Sequence, residues 1–117
     1  MVVEIKRIYD PPADDDGRRV LADRLWPRGI SKDEADIDEW VKDVTPSTEL
    51  RKWYHEDPQA RHAEFVKRYE RELTGPEQRA ALEQLRELAA KGPVTLLTSA
   101  KDLSHSHLAV LADLLKQ

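Results

Sequence analysis

Apolar residues Val2, Val3, Ile5, Ile8 and Tyr9 crowd the start of the chain in a β-prone run. Asp10-Pro11-Pro12 closes it, because two prolines offer no backbone N–H to a ladder. The polar cluster Asp14-Asp15-Asp16-Gly17 then turns the chain into a second expected strand, Arg19–Trp26, stopped by Pro27 and Gly29. The connection between the two holds no helix, which disfavours adjacent parallel pairing and leaves their relative direction open. From Ser31 to Val44 a weaker pattern of Ala35, Ile37, Trp40, Val41 and Val44 follows helical spacing, with Ser31 as N-cap. Ser47 caps a short helix through His55. Asp57 followed by Pro58 opens a longer one that ends before Gly75, with His62, Phe65, Val66, Tyr69 and Leu73 facing inward. A third helix, Pro76–Lys91, is closed by Gly92 and is expected to lie antiparallel to the helix before it. Pro93–Thr98 is almost continuously apolar and β-branched, as a central strand covered on both faces must be. A last helix begins near Ser104 and carries His107, Leu108, Leu111, Leu114 and Leu115 on one side. The order of these elements predicts a small α/β fold, a mainly parallel sheet of three to four strands flanked by helices.

Composition narrows what such a fold can do. With 117 residues, 39% of them hydrophobic, the chain makes one domain, 1–117, with one core. The net charge of -4 excludes a sequence-independent nucleic-acid coat, which needs a cationic surface, and leaves room only for a local basic site. The absence of cysteine excludes disulfides, thiolate catalysis, iron–sulfur clusters and thiolate-bound zinc. No segment approaches the roughly 20 apolar residues of a membrane span. A cytoplasmic protein with no membrane partner is the expectation. The four glycines form neither GxGxxG nor a Walker loop, and no GxSxG elbow occurs, so no cofactor is expected.

Two constellations carry the candidate chemistry. Asp23-Arg24-Leu25-Trp26-Pro27-Arg28-Gly29 leaves the end of a strand, where open α/β sheets bind ligands. Alternation along that strand places Arg24 and Trp26 on one face; arginine forks suit phosphate or carboxylate, and Trp26 offers a stacking surface. Arg24 is therefore expected to be an exposed binding residue whose removal hardly affects stability. The structural alternative is an Asp–Arg pair that fixes the turn. The second constellation, Thr98-Ser99-Ala100-Lys101-Asp102-Leu103-Ser104-His105-Ser106-His107, also leaves a strand and enters a helix whose first-turn amides favour an anion. Ser99 and Lys101 add donors. His107 sits beside the apolar stripe, either as a core histidine or as a proton-transfer group at the cleft wall, with His105 turned away. Asp102, His105 and His107 do not suggest a metal, because residues two apart on a helix project to nearly opposite sides. On the middle helices, Arg51 and His55 share a face and are the two able to reach a pocket, while Arg68 and Glu72 are spaced to pair across one turn.

The residues fall into one expected cleft at the strand ends: Arg24, Trp26, Arg28, Arg51, Ser99 and Lys101 bind an anionic small molecule or nucleotide, and Asp23, Asp102 and His107 move protons. The rival is a non-catalytic binding or regulatory module using the same basic pocket. A sequence-specific DNA-binding regulator is a third reading, with nucleic acid a partner that the net charge does not favour, and the sequence sets no oligomeric state.

The run Asp23-Arg24-Leu25-Trp26-Pro27-Arg28-Gly29-Ile30, with Trp40, Lys42, Thr45-Pro46-Ser47, Leu50-Arg51, Phe65, Tyr69, Glu72-Leu73, Thr95-Leu96-Leu97 and Ser99-Ala100-Lys101-Asp102, resembles the YeaO-like family, bacterial proteins carrying domain of unknown function 488. The resemblance covers nearly the whole chain and implies a compact α/β domain with a family-wide pocket and no established reaction. Larger relatives carry a Cys-His pair that aligns with Ser106-His107, whereas nearer members have asparagine at the first position. Serine there puts thiol chemistry out of reach and leaves His107 as the residue that carries over.

Overall fold

A computed structural model describes residues 2–116, so Met1 and Gln117, the ends of the expected domain, lie outside the described residues. Four strands, β1 (Val3–Arg7), β2 (Arg18–Leu21), β3 (Glu39–Trp40) and β4 (Val94–Thr98), form one sheet in the order β1-β4-β2-β3, with every pairing parallel. Among the described residues five α-helices accompany them: α1 (Lys32–Ala35), α2 (Thr48–His55), α3 (Pro58–Glu72), α4 (Pro76–Lys91) and α5 (His107–Lys116). The small α/β sheet flanked by helices is the architecture the pattern predicts. β4 is central because all five of its residues are apolar or threonine, and all five are buried.

The open direction of the first two strands resolves simply. They run parallel without touching, because β4 slides between them, with Ile5 and Val20 both in register with Leu96. The connection over residues 8–17, which contrary to expectation holds one short helical piece, a 3-10 turn at Asp14–Asp16, therefore never has to join adjacent parallel strands. Gly17 makes the turn into β2 at φ +65°, and a Cβ there would stand 2.2 Å from the Pro93 carbonyl oxygen, so only glycine fits.

Consecutive strand residues serve opposite faces. On one face Val20, Ala22, Val94 and Leu96 join Leu50, Tyr54, Phe65, Tyr69, Leu85, Leu108 and Leu111 from the helices in the main core. On the other, Leu21 and Leu97 join Ile8 and Ala35 in a smaller cluster covered by Trp26, Ile30, Ile37 and Trp40. That second face also holds the buried carboxylate of Asp16, which accepts from Lys6 Nζ at 3.1 Å and from Arg19 Nη1 at 2.6 Å.

Local capping explains the helices. Ser31 accepts from the Glu34 amide, Ser47 from that of Leu50 and Asp57 from that of Ala60, and prolines open α3 and α4. Three expectations are corrected. The helical pattern over 31–44 yields only α1, because Asp36 turns left-handed (φ 48°) and the chain then pairs with β2 as β3. The second strand ends at Leu21, not Trp26: the Ala22 amide still donates to Leu97 O, but Asp23, Arg24 and Trp26 make their bonds elsewhere. Finally, α3 lies closest to α2 and α4 packs on α5, so the α3–α4 pairing is not the principal helix contact. No helix among the described residues is long and apolar enough to cross a membrane.

Candidate functional site

Because the strands are parallel, β1, β2 and β4 deliver their carboxyl ends to the same edge, and the chain leaving each is tied to the next. Asp23, two residues beyond β2 and buried, accepts from the Thr98 hydroxyl at 2.7 Å and from the Ser99 amide at 2.9 Å. Arg7, at the end of β1, donates from Nε to the Ala100 carbonyl at 3.0 Å. The β4 exit loop is thereby held from both sides. Beyond it, Asp102 caps a 3-10 turn over Leu103–His105, accepting from the Ser104 amide and hydroxyl and from His105 Nδ1 at 2.6 Å. The Ser104 and His105 bonds hold the Asp102 carboxyl below its usual range.

These loops and the start of the helical layer enclose a cleft of about 480 Å³, a volume suited to a small ligand. Its floor and sheet-side wall are Asp23, Thr98, Ser99, Ala100 and His107; Lys101, Asp102, His105 and Ser106 form the loop side. Pro46, Arg51, Tyr54, His55, Pro58 and Phe65 form the side contributed by α2, α3 and the turn before them. Tyr54 stacks on Phe65 at 4.0 Å between ring centroids, donates to the His105 carbonyl at 2.7 Å and shares a 2.8 Å bond with His62 Nδ1. Burial, with the nearby Asp102 charge, pushes the Tyr54 phenol up, so it stays a neutral donor.

His107 is fixed where the cleft meets the core. Its Nε2 donates to the Ala22 carbonyl at 2.5 Å and stands 3.8 Å from Asp23 Oδ1, and its ring meets Tyr69 edge-on. Tyr69 in turn donates to the Val44 carbonyl. Burial lowers the His107 pKa, and the Arg51 charge adds to it; the Ala22 carbonyl and the Asp23 carboxylate pull the other way without prevailing. The neutral imidazole is the form the surroundings favour.

Asp23, Arg51, Ser99, Lys101, Asp102 and His107 thus meet at one cleft, although 75 or more residues separate Asp23 from the β4 loop. Arg24, Trp26 and Arg28 do not line it. Arg24 turns to the chain before α2, donating from Nε to Pro46 O at 3.0 Å and from Nη2 to Thr45 O at 3.3 Å. Trp26 packs edge-on against Trp40 in the second cluster and donates its indole N–H to Ile30 O. Arg28 is exposed, and its carbonyl accepts from the Tyr9 hydroxyl. The alternation argument failed here because the strand had already ended. His105, expected to turn away, lines the cleft, and Arg68 pairs with Glu64 while Glu72 accepts from Ser47.

Sequence reasoning missed Arg7, Tyr54 and His62. Arg7 carried a usable signal, a charged residue at the end of an apolar strand; the Tyr54–His62 bond, spanning a helix break, carried none. Among the described residues no group of three or more His, Asp or Glu could hold a metal ion.

The family model described as "Inactive DUF488-N3 subclade" matches residues 2–117. The chain is similar to the Uncharacterized protein YeaO of Escherichia coli, 47% identical over 116 residues, covering 99% of this chain and 98% of that protein. It is likewise similar to the Uncharacterized protein Rv3073c of Mycobacterium tuberculosis, 48% identical over 113 residues, covering 97% of this chain and 92% of its relative. No solved structure matches.

Proposed function

The chain belongs to the DUF488 family, in the subclade described as inactive, and from that premise we propose that its cleft binds an anionic small molecule without transforming it. The observation that carries the proposal is the division of the cleft's polar groups into committed acceptors and uncommitted donors. Both carboxylates spend their oxygens inside the protein, Asp23 on Thr98 and Ser99, Asp102 on Ser104 and His105. The side chains of Arg51 and Lys101 and the Ser99 hydroxyl, by contrast, make no hydrogen bond or ion pair among the described residues, and all three line the same space. Two free cations and a hydroxyl facing a pocket with an aromatic wall suit a carboxylate or phosphate group, the arginine fork accepting it in a bidentate manner.

The geometry gives a catalytic reading less support. Ser106 stands where larger relatives have cysteine, yet its hydroxyl donates to the Leu103 carbonyl at 2.7 Å, not to His107, so no nucleophile–base pair is assembled. His107 commits its Nε2 proton to a backbone carbonyl. Asp23 and Asp102 act as loop staples.

Calorimetric titration with inorganic phosphate, citrate and nucleoside monophosphates tests the proposal, with phosphorus NMR following the phosphate probes for conversion. At least one probe is expected to bind and remain unchanged, and Arg51→Ala or Lys101→Ala is expected to weaken it about tenfold, some 1.4 kcal/mol. Binding that survives both substitutions, or no binding at all, overturns the anion site. Turnover of a probe would favour instead an acid–base enzyme built on Asp23, Asp102 and His107.

A further inference from the structure

The donors of the cleft explain one end of a ligand; His107 speaks to the other. A backbone carbonyl can only accept, so the 2.5 Å bond to Ala22 O requires the proton on Nε2 and, in the neutral ring, leaves Nδ1 with a bare lone pair. Nδ1 has no partner among the described residues. Nor is any described buried side-chain nitrogen or oxygen both sealed from solvent and unpartnered. Nδ1 is therefore not sealed from solvent, and the cleft is the space that His107 lines. The side chain itself is only 12% exposed and is pinned by Ala22 and the edge-on Tyr69 ring, so the acceptor is held in a fixed place.

An anion made only of acceptor oxygens, such as sulfate, cannot satisfy that nitrogen and would set lone pair against lone pair. We propose that the cleft selects anions that also carry a hydroxyl group, with Arg51 and Lys101 taking the charged end and His107 Nδ1 accepting a hydrogen bond from the hydroxyl. His107 is thus assigned as the specificity-determining residue of the site. The assignment rests on the anion-binding reading above and goes beyond it by naming the ligand class: hydroxylated phosphates or hydroxy acids. The neutral state that burial imposes on the ring is what keeps Nδ1 an acceptor near neutral pH.

Glycerol 3-phosphate and propyl phosphate have the same charge and nearly the same shape and differ in the hydroxyls, so the unmodified protein provides the primary test. Calorimetry at pH 7.5 should show glycerol 3-phosphate binding at least about tenfold tighter, and nitrogen NMR should show the His107 Nδ1 resonance shifting with that ligand and not with propyl phosphate. His107→Phe, which has no acceptor, should equalise the two affinities while retaining the phosphate contribution. Equal affinities in the unmodified protein, or an unmoved Nδ1 resonance, overturn the hydroxyl selection and leave the anion site standing. Failure of both ligands to bind where other phosphates do also refutes it. Failure of every anion removes the site itself and the inference with it.

Discussion

Replacing Arg24 with alanine separates a structural clamp from a binding residue. Its guanidinium donates to the carbonyls of Thr45 and Pro46, both buried, where the chain turns from β3 into α2. A hydrogen bond from a charged donor contributes about 1.5–3 kcal/mol, but the 3.3 Å bond is long and the half-buried arginine leaves water some access to the carbonyls. The combined loss in Arg24→Ala is therefore about 2–3 kcal/mol. For 117 residues, an unfolding entropy of about 2.1 cal/mol/K per residue makes this a fall in Tm of about 8–12 °C. Arg24→Lys, which keeps the charge but not the fork, should fall between the two. Urea unfolding followed by circular dichroism supplies the free energy, and a phosphate titration below the transition should show binding unchanged, since Arg24 does not line the cleft. An Arg24→Ala protein within about 0.5 kcal/mol of the original would refute the clamp and return Arg24 to the surface role its sequence context suggested.

The burial of His107 sets a pH dependence whose sign follows from which state holds the proton. The unfolded ring takes up a proton near 6.5 and the folded ring does so only at lower pH, so its contribution is complete above 6.5 and declines as pH falls from there through the folded value. Urea midpoints between pH 7.5 and 5 should therefore drop, at up to about 1.4 kcal/mol per pH unit for this group, and His107→Gln should remove that slope; an unchanged slope in the variant would show that other groups set it. Gly17→Ala should cost about 3 kcal/mol, combining a left-handed alanine with overpacking against Pro93 O, which also accepts from the Arg18 amide at 2.9 Å. A thermal midpoint within about 2 °C of the original would show that the turn can rearrange.

What the sequence disclosed was what neighbouring residues decide among themselves. Ser47 and Asp57 mark helix starts because a cap is a contact over three residues, Gly75-Pro76 does so because proline is preset for the first helical position, and β4 is legible because burial on both faces leaves no polar period. β3 was hidden because two residues become a strand only by pairing with Val20 and Leu21 far upstream. The early end of β2 was hidden for a similar reason: Asp23, Arg24 and Trp26 continue an alternating pattern, but their bonds go to Thr98, Pro46 and Ile30 and pull the backbone out of register. The two histidines near α5 failed more instructively. One continuous helix from Ser104 would send His105 and His107 to nearly opposite sides. Instead the 3-10 turn stops at His105, Ser106 is extended (φ -85°, ψ 164°), and the helix restarts at His107, so both rings reach the cleft.

That break also bears on why a polar cleft beside a histidine need not be a catalytic centre. Ser106 is buried, and its hydroxyl and amide both bond the Leu103 carbonyl, closing the turn that lets the helix begin at His107. Ser106 serves as a hinge in the backbone path. Asp23 behaves alike: the carboxylate a proton-transfer scheme would choose is the one that ties the β2 and β4 exits together, with both oxygens already occupied. Both groups are held by the fold they maintain. Among the described residues, the side-chain groups of the cleft that make no hydrogen bond include those of Arg51, His55 and Lys101, the Ser99 hydroxyl and Nδ1 of His107, and no hydroxyl among them is paired with a base.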